Sequence, residues 1–224
     1  MLSGLFVLFT AGRCHAANLS NGDVYATDFT SVSDWTDGAS DSGDGWNQTA
    51  FGGLSCMYLY ADSRPGWGSG GCYNDLSPFG ARSVLSVKMY FARLGTAANH
   101  DDFLLNFYGP SEALYVDFAS GGVSIYSSGA GSSVLVSTGF AIATWQEWTF
   151  DVNWTTRTVD AYLNGVLQAS GAGIYNGSES SWNGTVFFIA QGGNVADDDV
   201  YVDWLKIGDG FVAAPVDALQ ISGD

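Results

Sequence analysis

The stretch EWTFDVNW, residues 147–154, alternates without exception: Trp148, Phe150, Val152 and Trp154 are apolar, while Glu147, Thr149, Asp151 and Asn153 are polar. A period of two puts one set on each face of a pleated strand, so the segment reads as half-buried sheet and fits no helix. The pattern returns in SVLSVKMYFA, where Leu85, Val87, Met89 and Phe91 oppose Ser86, Lys88 and Tyr90. DFLLNFYG, ALYVDFAS, SSVLVST, RTVDAYL and DVYVDWLKI repeat it more loosely. TVFFIAQ is apolar on both faces and suits a central strand, or one covered by a partner.

Turn chemistry separates these runs. Asn164-Gly165 lies between two apolar segments in YLNGVL, the strongest short hairpin signal, and Gly/Ser clusters punctuate the rest. No stretch sustains a helical period. Roughly a dozen short strands at this spacing predict an all-β, antiparallel sandwich. At 224 residues the chain fits one domain with a full core. The organisation expected is an apolar segment at 1–16, the sandwich at 17–210, and an extended tail at 211–224.

The opposing charges, 7 Lys+Arg against 23 Asp+Glu, leave −16. Such a surface repels phosphate backbones and anionic headgroups, which argues against nucleic acid as a partner. No apolar run reaches the roughly 18 residues of a membrane-spanning helix.

The residues TWQEWTFDVNWTTRTVDAYLNGVLQ, GTVFFIAQGG and DDDVYVDWLKIG resemble the C-terminal half of concanavalin A-like jelly rolls, including LamG-like modules. VYATDFTSVSDW resembles the opening strand, which in that fold pairs near the last one. The resemblance implies a jelly-roll sandwich. It also implies a choice among glucanases, polysaccharide lyases, lectins, carbohydrate-binding modules and structural or viral surface proteins.

Retaining glucanase chemistry needs two carboxylates about 5–5.5 Å apart, supplied in the family by a Glu-x-Asp-x-x-Glu strand. Glu112, Glu147 and Glu179 are the only glutamates, and none opens that pattern. A base for lyase chemistry would be a His, Tyr or Lys. His100, beside Asp101 and Asp102, reads more readily as a solvated loop. No enzyme is therefore expected from the motifs.

Other candidates are non-catalytic. Asp197, Asp198 and Asp199 stand at the mouth of the last strand, with Asp28 near if the first strand pairs there, and Ca²⁺ would suit such oxygens. No cofactor is required, and an exposed acidic loop is the competing reading. Trp46, Trp67 and Trp182 lie in Gly/Ser/Asn-rich surroundings, where a ring is easily exposed to stack on a sugar. Cys56 and Cys72 flank a Gly-rich segment; a bridge there would contribute roughly 3 kcal/mol, and two buried thiols are the alternative. Sequons at Asn18, Asn47, Asn153, Asn176 and Asn183 tilt the reading toward a secreted, extracellular glycoprotein.

Residues 1–16 allow two readings. Leu2–Ala11 followed by RCHA-AN has the apolar core and small residues of a signal peptide, without a basic start. Alternatively Leu5, Phe6, Val7, Leu8 and Phe9 form a strand laid into a second copy of the chain. On the second reading the protein is a non-catalytic, self-associating subunit of an extracellular filament or virion-like assembly. The alternative is a secreted, lectin-like carbohydrate-binding module that takes glycans as partners; a polysaccharide hydrolase or lyase comes third.

Overall fold

The structure is a computed structural model that describes residues 23–40, 43–61, 68–76, 79–93, 103–108, 113–119, 122–127, 134–137, 141–174, 181–192 and 198–208. In chain order the strands begin with β1 (Asp23–Thr27), β2 (Thr36–Ser40), β3 (Gly45–Phe51), β4 (Leu54–Ala61) and β5 (Gly68–Asp75). Next come β6 (Arg82–Arg93), β7 (Phe103–Tyr108), β8 (Ala113–Ala119), β9 (Gly122–Ser127) and β10 (Val134–Ser137). The last are β11 (Trp145–Asn153), β12 (Thr158–Leu163), β13 (Val166–Gly173), β14 (Thr185–Gly192) and β15 (Asp198–Gly208).

They form two antiparallel sheets. The first runs β13-β12-β11-β6-β15-β4-β3, with β1 also paired to β15; the second runs β10-β9-β8-β7-β14-β5-β2. The all-β sandwich expected from alternation is what the chain adopts. β14 sits inside its sheet between β7 and β5, as its two apolar faces require. β1 pairs with β15, opening strand against closing strand. Asn164 and Gly165 take φ of 49° and 75°, the pair of positive values that a two-residue hairpin turn between twisted strands needs.

The core lies between the sheets. Trp148, Phe150 and Val152 point inward from β11, as the alternation demands, and Leu85, Val87, Met89 and Phe91 do so from β6. The second sheet answers with Phe118, whose ring meets Trp148 edge-on at 5.5 Å. Each such side chain, taken fully out of water, contributes about 1.5–3 kcal/mol, and the aromatic pairs add a little more.

The expected Cys56–Cys72 bridge does not form; both are buried thiols. Cys72 belongs to the core on β5, with its sulfur 3.2 Å from that of Met57. Met57 is the inward residue next to Cys56, so Cys56 points to the opposite face of β4. A strand lies between the two sulfurs. Burial raises the Cys72 thiol well above its ordinary value, with the charge of Asp37 adding to the effect.

Candidate functional site

The outward face of the first sheet carries the alternate residues that the core rejects. Register aligns Tyr58 on β4 with Tyr201 on β15, Tyr201 with Tyr90 on β6, and Tyr90 with Trp145 on β11. Four aromatic side chains thus cross four neighbouring strands in one row. Tyr58 and Tyr201 stack at 4.7 Å, and Tyr90 meets Trp145 at 5.4 Å, tilted. Tyr60, two residues along β4, stacks beside Tyr58 at 5.1 Å.

Ion pairs border the row on both sides. Asp199 accepts a hydrogen bond from the Tyr58 hydroxyl and pairs with Arg93. Lys88 places its ammonium 2.6 Å from Asp203 and 5.1 Å from the centre of the Trp145 ring. Farther along, the Arg82 Nε donates to Asp151 at 2.9 Å, and the Ser86 and Thr149 hydroxyls are 2.8 Å apart. Alternation from Tyr201 puts Asp203 on this face, and the slip in pairing between Val202 and Trp204 leaves both Asp203 and Trp204 level with Lys88. Every cation named here faces a carboxylate, so the surface is polar yet locally balanced in charge.

Burial is the leading cause that raises the Tyr58 phenol above its ordinary value, and its bond to Asp199 adds to it. Tyr201 is raised too, by burial first and then by the negative charge of Asp199. Both keep their protons through neutral pH, and the Tyr58 proton is the one donated to Asp199. The Asp151 hydrogen bond is the main cause that raises Arg82.

The residues proposed from sequence fall elsewhere. Trp182 is a core residue, 1% exposed, stacked on Phe79 at 4.6 Å and donating its indole N–H to the Thr185 carbonyl. It offers no face to a ligand. Trp46 lies on β3, half-buried, and its indole N–H donates to Asp37 at 3.3 Å. Trp67 lies outside the described residues.

The proposed calcium ligands do not converge. Thr27 pairs with Leu205, so Asp28, one residue on, comes level with Trp204, five residues or about 17 Å along β15 from Asp199. Asp28 instead accepts from the Thr30 backbone N–H and hydroxyl, and Asp199 serves Tyr58 and Arg93. Of Asp198 only the backbone position on β15 is described, and Asp197 lies outside the described residues. Among the described residues no cluster of three or more His, Cys, Asp or Glu side chains is placed to hold a metal.

Asn47 and Asn183 are exposed and Asn153 is half-buried; the side-chain oxygens of Asn153 and Asn183 accept the N–H groups of Thr156 and Thr185. Asn18, Asn176, His100, Asp101, Asp102 and the segment Leu5, Phe6, Val7, Leu8 and Phe9 lie outside the described residues. Tyr58, Tyr90, Trp145 and Tyr201 escaped the sequence reading, which sought exposed rings in loops. Their signal was present in the outward positions of YLYA, SVKMYF, DVYVDW and TWQEW, but nothing in one strand says which others lie beside it.

No family model matches the chain, and no curated protein matches it. Solved structures do. The cellulose-induced protein Cip1 superposes with a TM-score of 0.66 at 15% identity, over 85% of this chain and 99% of that one. A Bacteroides ovatus glycoside hydrolase of family 16, solved with a mixed-linkage glucan product, gives 0.57 at 10% identity over 82% and 99%. The Bacillus licheniformis β-glucanase gives 0.54 at 15% identity over 85% and 99%. The fold is the concanavalin A-like jelly roll. Its company of glucanases overturns the expected role as a non-catalytic structural subunit, and equally the expectation that the chain is no enzyme. The lectin-like alternative agrees with these neighbours better.

Proposed function

We propose that this protein binds a neutral glycan chain along the outward face of its first sheet. The observation that carries the reading is the row Tyr58–Tyr201–Tyr90–Trp145, bordered by the pairs Arg93–Asp199 and Lys88–Asp203. Aromatic surface accepts the apolar C–H patches of a pyranose, and the flanking hydroxyls and carboxylates take up its hydroxyl groups. A uronate or sulfate would meet Arg93, Lys88 and Arg82 already paired with Asp199, Asp203 and Asp151, so charge favours an uncharged sugar.

The test is binding of cellohexaose, laminarihexaose, mannohexaose and an oligogalacturonate of equal length. At least one neutral hexasaccharide should bind, and Trp145→Ala should weaken it about tenfold or more. Binding of the galacturonate alone, or binding indifferent to Trp145, would defeat the reading.

A second reading, glycan cleavage at the same face, is favoured by Glu147 and Asp203. Glu147 stands opposite Lys88, and Lys88 stands opposite the bulge that presents Asp203. The two backbones are two strand spacings apart, about 10 Å. Side chains from such positions span the separation that inverting hydrolysis uses, with one carboxyl as acid and the other activating water. Release of reducing ends from a soluble β-glucan, abolished by Glu147→Gln with binding retained, would support cleavage; no release would leave binding alone.

A further inference from the structure

The pairing of β4 with β15 runs from Ala61 opposite Asp198 to Met57 opposite Val202. Leu54–Cys56 continue to pair with β3, as far as Phe51 opposite Leu54. The β3–β4 hairpin thus outruns the sheet, and its tip is free to take its own course. The tip turns at Gly52 and Gly53, with φ of 61° and 84° and nothing within contact of either α-carbon's open side.

The position of Phe51 shows where that tip goes. In a flat sheet Phe51 and Trp145 would be four strands apart, about 19 Å. Their ring centres are 6.1 Å apart. Phe51 also stacks on Tyr201 at 4.0 Å, nearly parallel, and meets Tyr90 at 4.8 Å. The hairpin therefore curls over the outward face and sets its last aromatic ring on the middle of the row. At the base, the Gln48 amide donates to the carbonyls of Phe29 and Thr30 at 2.8 and 2.7 Å, holding the root of the hairpin while the tip projects.

We propose that Phe51 is a gate: its ring occupies the place of a sugar ring on Tyr201, and the β3–β4 tip must lift for a glycan to enter. This rests on the glycan-binding reading of the same face. A 4.0 Å ring separation leaves no room for a pyranose between Phe51 and Tyr201, so the closed form and the occupied form exclude each other. Apparent affinity is then reduced by the fraction of molecules that are closed. The contact to be broken is an aromatic stack at the end of a two-stranded arm, weaker than any strand pairing within the sheet.

Cys56 reports the gate without any glycan. It is fully buried on the tip arm, on the face of β4 that looks away from the core, whereas Cys72 lies within the core. Iodoacetamide labelling of the full chain, read by peptide mass, follows each thiol separately. Phe51→Ala should speed labelling of Cys56 about three- to tenfold and leave Cys72 unchanged. The same variant should bind the neutral hexasaccharides about three- to tenfold more tightly, and Phe51→Leu, which keeps apolar bulk, should fall between.

An unchanged rate at Cys56, or equal acceleration of both thiols, overturns the gate. So does weaker hexasaccharide binding by Phe51→Ala, which would make the ring a fixed wall of the site. If Cys56 alone accelerates and no hexasaccharide binds either protein, the gate stands and the glycan reading fails.

Discussion

Lys88 and Trp145 lie on neighbouring strands of the first sheet, with the ammonium 5.1 Å from the indole centre while it pairs with Asp203 at 2.6 Å. One cation thus ties an aromatic of β11 to a carboxylate of β15 across β6. Lys88→Met keeps the stem and removes the charge, leaving Asp203, 8% exposed, without its counter-ion. We expect a loss of about 2 kcal/mol in urea unfolding, between the worth of a surface pair and that of a buried one. Hexasaccharide binding should weaken with it.

Asp199 gathers Tyr58 from β4 and Arg93 from β6. Asp199→Ala leaves the Tyr58 hydroxyl half-buried without its acceptor, a cost of about 1–3 kcal/mol. Tyr58→Phe removes the donor with the hydroxyl and should cost less. Chemical denaturation of the two variants and of the double variant gives the coupling directly; strict additivity would mean the bond carries nothing.

Tyr25 donates its hydroxyl to Asp34 at 3.1 Å. Burial, joined by the charge of Asp34, pushes its pKa up to about 12 from 10.0. A phenol raised on folding stabilises the protein fully below pH 10 and loses that contribution as pH climbs from 10 toward 12. Stability should therefore fall across that window, and Tyr25→Phe should make the fall shallower. Melting temperatures taken between pH 9 and pH 12 decide it.

Because Cys56 and Cys72 face opposite sides of β4 and carry thiols, a reducing agent should leave the melting temperature unchanged. A drop of several degrees on reduction would show a bridge after all.

Trp148 is fully buried, stacked parallel to Phe150 at 5.9 Å and edge-on to Phe118 of the other sheet. Trp148→Ala opens a cavity between the sheets and should cost about 3–5 kcal/mol. Trp145→Ala, three residues away on the outward face, should cost far less stability and more binding. Running both by urea unfolding and by hexasaccharide titration separates the face that folds the chain from the face that works.

Alternation along EWTFDVNW and SVLSVKMYFA determined the strands, which of their residues face the core, and hence the sandwich, because a pleated strand offers two faces and water rejects one side chain in two. Asn164-Gly165 determined its hairpin in the same local way. Which strands lie side by side is not local. Tyr58, Tyr90, Trp145 and Tyr201 lie far apart in the chain, and only the order β11-β6-β15-β4 makes them one row. Asp28 and Asp199 were separated, and Cys56 and Cys72 turned apart, by the antiparallel register and by the parity of a single strand. Phe51 reached Trp145 because β4 parts from β15 beyond Met57 while staying paired with β3. Propensity acts within a strand, but lateral register and curling are settled by packing among strands distant in sequence, and the functional face is made of those relations.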